Sequence, residues 1–156
     1  MVNYSYFDHG ETRWTLVTPT MDDPTLVVCP SCEKQAKVLP SSTTGYRLIC
    51  AHCGFLENQA EPTCCLKWQE ENPTDGHFGY ALWLKTTCCG QTSWAFNQRH
   101  LDILESFVSA KLRQRRKDQQ AGWKNSSLAS RFPKWLKASK NRAEVMKAII
   151  RLRKII

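Results

Sequence analysis

The sequence predicts an α+β protein, with a small antiparallel sheet organised around four spaced cysteines and a basic helical region after it. Three observations carry that prediction. Cys29-Pro30-Ser31-Cys32 and Cys50-Ala51-His52-Cys53-Gly54 are matching Cys-x-x-Cys pairs beside short apolar runs. The apolar spacing changes from an extended to a helical pattern after Cys89-Gly90. The charge changes too: residues 1–100 hold seven Lys/Arg against ten Asp/Glu, a balance of −3, and residues 101–156 hold fifteen against four, a balance of +11. The chain accordingly divides into a cysteine-bearing β region, 1–95, and a basic α-helical region, 96–156.

In chain order, Arg13-Trp14-Thr15-Leu16-Val17 alternates as a half-buried strand, and Pro19 and Met21-Asp22-Asp23-Pro24 break it. Thr25-Leu26-Val27-Val28 is a second extended run that feeds Cys29. Lys37-Val38-Leu39 and Tyr46-Arg47-Leu48-Ile49 read as two antiparallel strands joined by the turn residues of Pro40–Gly45. Residues 54–78 are polar, with Asn72-Pro73-Thr74-Asp75-Gly76 as a turn. Gly79-Tyr80-Ala81-Leu82-Trp83-Leu84 is the best strand of the second part and leads to Cys88-Cys89-Gly90.

Asn97 suits the N-cap of a helix reaching about Arg116, with Leu101, Leu104, Phe107, Val108 and Leu112 on one face. Lys117 to Asn125 is a polar connector, and Pro133 opens a short helix through Ala138. Asn141 with Glu144 resembles a capping box ahead of a helix to the C-terminus. Val145, Ile149, Leu152 and Ile156 form its apolar stripe, widened by Met146 and Ile150, and Lys147, Arg151 and Lys154 form a basic one.

Eight cysteines in 156 residues need a chemical reason. The N-terminus has neither a basic start nor an apolar stretch, so no signal peptide is expected, nor is any run long enough to cross a bilayer. A cytoplasmic protein keeps its thiols reduced and available to metal. Zinc takes four tetrahedral ligands, and two Cys-x-x-Cys pairs separated by seventeen residues supply them when a hairpin brings the pairs together. Cys29, Cys32, Cys50 and Cys53 are therefore the expected ligands of one structural Zn2+. The competing readings are unliganded core cysteines or a redox pair. Four cysteines leave no open position for a catalytic water, and His52 is expected to face solvent.

Residues 26–55 resemble the zinc-ribbon group found in transcription factors, polymerase subunits and small prokaryotic proteins. The resemblance implies two rubredoxin-like knuckles around a structural zinc, without fixing a function, since such ribbons serve DNA, RNA and protein partners alike. Cys64-Cys65 and Cys88-Cys89 are expected to be small packing residues, because adjacent cysteines in an extended chain point to opposite faces. The alternative is a second site using one cysteine of each pair with His77 or His100.

The basic half invites a polyanion. Arg113, Arg115, Arg116, Lys134, Lys137, Lys147, Arg151 and Lys154 are the candidate phosphate contacts, with Trp123 and Trp135 interleaved as candidate stacking rings. The plainer reading is a solvated basic face over core tryptophans. There is no phosphate-binding glycine loop, no nucleophile elbow, no HExxH helix and no paired carboxylates, so an enzyme is not expected. The expected role is DNA or RNA binding, in transcription or its regulation; the alternative is a zinc-stabilised adaptor for an acidic protein partner.

Overall fold

The computed structural model describes residues 18–42, 45–59, 73–110 and 132–156 in full, and 5–8 and 112–115 by backbone. The expected strand at Arg13–Val17, the pair Cys64-Cys65, the connector Lys117–Asn125, Trp123 and Arg116 lie outside the described residues.

The α+β reading holds. The central sheet is antiparallel, in the order β2 (Thr25–Val28), β3 (Gln35–Pro40), β4 (Tyr46–Ile49), β5 (Leu56–Gln59). Its alternation buries Ala36 and Val38 on β3 and Leu48 on β4, the face that packs inward. β5 is an addition to the reading from sequence. Leu56-Glu57-Asn58-Gln59 has no apolar alternation and enters the sheet only by pairing with β4, so composition alone does not reveal it.

The strand expected at 79–84 is displaced. Residues 81–83 run beside β2 through single bridges and backbone bonds: Val28 N–H donates to Ala81 O at 2.9 Å and Trp83 N–H to Leu26 O at 3.0 Å. Regular pairing begins only at β6 (Leu84–Cys88), which forms a hairpin with β7 (Gln91–Ala95). The two-residue turn is Cys89-Gly90, both with positive φ, at 54° and 72°. That is the geometry of a tight primed turn, matched to strand twist. β7 falls where the sequence reading turns helical. Leu26 N–H donates to Phe96 O at 2.8 Å, so the end of β7 is tied to the central sheet.

A buried Asp75 shapes the loop before β6. Its carboxylate accepts from the backbone N–H groups of His77, Phe78 and Tyr80 at 3.0, 2.7 and 2.7 Å. Tyr80 in turn donates its hydroxyl to Glu57 at 2.7 Å, which raises the tyrosine's pKa and joins this loop to β5.

α1 (Gln98–Ser109) starts at Asn97 as expected, with the Asn97 side chain accepting from His100 N–H at 2.9 Å. It buries Leu101, Leu104, Phe107 and Val108 but stops at Ser109, well short of Arg116. Ala110 is extended, and β8 (Leu112–Arg115) pairs in parallel with β1 (Ser5–Asp8), so strand pairing ends the helix. Leu112 thus belongs to a strand.

α2 (Lys134–Lys137) follows Pro133, and a short 3-10 turn, Ser139–Asn141, leads into α3 (Arg142–Arg153). The capping box does not form. Asn141 has a helical backbone, and its side-chain amide donates to Trp135 O at 2.7 Å. α3 buries Val145, Ala148, Ile149 and Leu152 against α1 and β6. Ile150 and Ile156 are exposed: Ala148 takes the flank of the stripe, and Ile156 lies beyond the last turn. Trp83 Nε1–H donates to Ile155 O at 2.8 Å and pins that end to the sheet side. The buried apolar residues form one cluster, from Leu26 on β2 to Leu152 on α3. Among the described residues, no helix is long and apolar enough to cross a membrane.

Candidate metal centre

Each Cys-x-x-Cys pair forms the turn of a hairpin, the first between β2 and β3, the second between β4 and β5. The two turns match residue for residue. Cys29 N–H donates to Lys34 O at 2.7 Å, and Cys50 N–H to Phe55 O at 2.9 Å. Glu33 N–H returns to Cys29 O at 3.0 Å, and Gly54 N–H to Cys50 O at 2.9 Å. Glu33 and Gly54 hold the same left-handed place, at φ 61° and 77°. Two copies of one local conformation, brought side by side by the β3–β4 pairing, therefore aim their thiols at one point.

The four sulfur atoms lie within 4.8 Å of one another. Cys29 and Cys53 are 3.6 Å apart at Sγ, and Cys32 and Cys50 are 3.5 Å apart. A tetrahedral ion with bonds of about 2.3 Å needs sulfur separations of about 3.8 Å. Two of the separations fall slightly short of that value and none exceeds 4.8 Å, so small shifts bring the four donors around one ion. Cys29 and Cys50 are buried, Cys32 is half-buried and Cys53 is exposed, so the centre sits at the edge of the sheet. Four thiolates close the coordination shell, which makes this a structural rather than a catalytic arrangement.

The thiols are electrostatically unequal. Burial works against ionising Cys50, but the backbone N–H groups of Cys53 and His52 outweigh it and bring its pKa down to about 7. At Cys32 the Lys34 backbone N–H favours the thiolate, yet burial and the three neighbouring thiols push it up to about 12. One negative charge is welcome here and further ones repel. A divalent cation resolves that conflict, which is the chemical reason this cluster suits a metal. His52 is exposed, as expected.

Glu33 carries a left-handed conformation without being glycine, a state that costs a non-glycine residue about 1–2 kcal/mol. Glu33→Gly should therefore raise stability by up to about 1 kcal/mol, after glycine's extra unfolded-state entropy is counted. Gly54→Ala should lower it by about 1 kcal/mol, although a Cβ there would touch nothing within 4 Å. Denaturant midpoints of the two variants check both signs. Opposite responses at two turns with no sequence identity beyond cysteine would confirm their equivalence.

Among the described residues this is the only group of three or more such ligands within metal-binding reach. Cys88 is buried in the core with its pKa pushed up to about 11, chiefly by burial, while Cys89 is exposed with Sγ 3.6 Å away. His100 accepts Phe96 N–H on Nδ1 at 3.1 Å, and His77 stacks on Tyr46 at 3.7 Å, so neither joins that pair in a cluster.

The candidate phosphate contacts are dispersed. Lys134, Lys147, Arg151 and Lys154 are exposed and Lys137 is half-buried. Lys147 pairs with Glu144 at 3.1 Å, and Arg151 donates to Thr87 O at 2.8 Å. Arg113 and Arg115 lie on β8. Sequence reasoning missed Arg153, which bridges Asp102 at 2.7 Å and Glu105 at 2.5 Å to lock α3 onto α1. It also missed the glycine-like role of Glu33, whose only sequence signal is its position aligned with Gly54. Comparisons with protein-family models, curated proteins and solved structures found no match.

Proposed function

We propose that this is a non-enzymatic nucleic-acid-binding protein of the cytoplasm, acting in transcription or its regulation, whose ribbon is held by one structural Zn2+. The observation that carries the reading is the charge division, −3 over residues 1–100 and +11 over 101–156. Zinc is favoured as the metal because four clustered thiols suit its tetrahedral, redox-inert chemistry. The ribbon contributes little to phosphate attraction, having Lys34, Lys37 and Arg47 opposed by Glu33 and Glu57. Polyanion contact therefore falls to the C-terminal half, where Lys134, Lys140, Lys147, Arg151 and Lys154 are exposed on α2, α3 and the segments that flank them.

A salt titration of binding to DNA and RNA tests this directly. Each phosphate contact contributes about 0.9 to the log–log slope on duplex DNA. A triple variant, Lys134→Ala with Lys147→Ala and Lys154→Ala, leaves Arg151 and its bond to Thr87 intact. It should weaken binding to all sequences alike and flatten the slope by up to about one unit per contact. No salt-sensitive binding to any nucleic acid near physiological ionic strength would refute the reading. The adaptor alternative draws on Ile150, Ile155 and Ile156, exposed at 51%, 43% and 47% beside Lys154. A salt-insensitive complex with an acidic protein, lost on Ile150→Ser, would favour it.

A further inference from the structure

A cavity of ≈ 330 Å3 lies between β7, α1 and the Phe132–Leu136 segment, well away in sequence from the cysteine cluster. Its lining joins Trp94 and Trp135, both half-buried, with Thr92, Ser93 and His100. The Trp94 and His100 rings of the wall are held by the buried Phe96 behind them. Phe96 and His100 stack at 5.4 Å, and Trp94 meets them edge-on at 5.2 and 5.6 Å. His100 is 3% exposed, and its Nδ1 is taken by Phe96 N–H, so a neutral ring carries its proton on Nε2. That imidazole and Thr92, which shares a face of β7 with Trp94, bring polar side chains to the lining beside these rings.

We propose that the Trp94–Trp135 cavity seats an unpaired nucleobase of single-stranded nucleic acid. Three features select that ligand class. Its size is at the small end of ligand cavities, which run from about 300 to 1,000 Å3, suiting one ring system with its sugar. Indole rings give a base a face to stack on, and the hydroxyl and imidazole groups match the mixed donors and acceptors of a base edge. Lys134, exposed between the lining residues Pro133 and Trp135, supplies a cation for the adjoining phosphate. A purely apolar guest would leave the His100 donor and the Thr92 hydroxyl unanswered.

The inference rests on the nucleic-acid reading above, and one experiment separates their fates. Zinc-loaded full-length protein is titrated with short oligothymidylate, with a duplex of equal length, and with thymidine 5′-monophosphate followed by NMR. Preferred binding of the single strand is expected, with shifts at the Trp94 and Trp135 indoles and the His100 ring. Trp135→Leu should weaken oligothymidylate binding by about 5- to 150-fold, the range typical of one lost stacking ring, while leaving the duplex unaffected. Trp135→Phe, which keeps a ring and the packing, should retain most of the affinity, and Thr92→Phe, which fills the cavity, should lose it. Salt-sensitive binding of single strand and duplex alike, with the cavity resonances unmoved, would overturn the nucleobase site alone. No binding of either polymer would overturn the site together with the nucleic-acid reading.

Discussion

Replacing Cys50 with serine is expected to release the metal and unfold the cysteine-bearing sheet. Structural zinc contributes about 10–16 kcal/mol to the folding of small zinc peptides, against about 2–5 kcal/mol for truncating a large core side chain. The four-stranded sheet has few buried side chains of its own: Val27, Ala36, Val38 and Leu48 share one face, and Leu26 is buried on the other. Without the ion, three or four neighbouring thiols must protonate or repel, and the two hairpin turns lose the ion that ties them together. The loss should spread, because β2 carries backbone bonds to residues 81–83 and to Phe96 and shares one core with α3. Far-UV circular dichroism with and without a strong chelator, on wild type and Cys50→Ser, measures this. Chelation should unfold the wild type and leave the variant unchanged. A Cys50→Ser chain with wild-type denaturant midpoint would contradict it.

The second large effect is on acid stability, through His100. Burial lowers its pKa from 6.5 to about 3, so the folded state requires the neutral ring. The rings of Trp94 and Phe96 pack against it and offer no compensating negative charge. With a depressed folded pKa, the contribution is fully present above pH 6.5. It declines as pH falls toward 3, by about 1.4 kcal/mol per pH unit. Summed over that window the loss approaches about 5 kcal/mol, comparable to the whole stability of many domains. Thiol protonation also weakens metal binding in acid, so the informative quantity is a difference between chains. His100→Gln lacks the titration, and its stability should fall less steeply with acid, by about one proton between pH 6.5 and 4. It should also be less stable at pH 7, by about 1–3 kcal/mol, if its amide meets the Phe96 N–H poorly. Parallel stability–pH curves for the two chains would show that His100 does not carry this proton.

The metal cluster was legible because its chemistry is local. Two residues between cysteines is a spacing set by knuckle geometry, and the strands at Thr25–Val28 and Tyr46–Ile49 follow from the apolar residues that flank it. Asn97 was legible for the same reason, since an N-cap acts on its own helix. Elements decided by distant partners were not. Leu112–Arg115 has helical spacing with α1 but pairs with Ser5–Asp8, more than a hundred residues away in sequence. Residues 81–83 look like a strand and are engaged by β2 through isolated bonds, which delays regular pairing to Leu84. The Cys89-Gly90 turn was hidden because cysteine is an uncommon residue for positive φ, so its presence signals a ligand or a packing group rather than a turn. On α3 the period of the buried stripe was legible, but its flank was not. Ile150 is the larger apolar residue and stands exposed, while the small Ala148 is the one that packs.

Native mass spectrometry of the freshly purified, reduced full-length chain tests the metal-held fold most directly. One zinc ion per chain is expected, retained by the folded charge states and absent from unfolded ones. Cys88→Ala should keep that ratio, since Cys88 is a packing residue of the core. A folded chain carrying no metal, or a zinc that persists in Cys50→Ser, would contradict the assignment of Cys29, Cys32, Cys50 and Cys53 as its ligands.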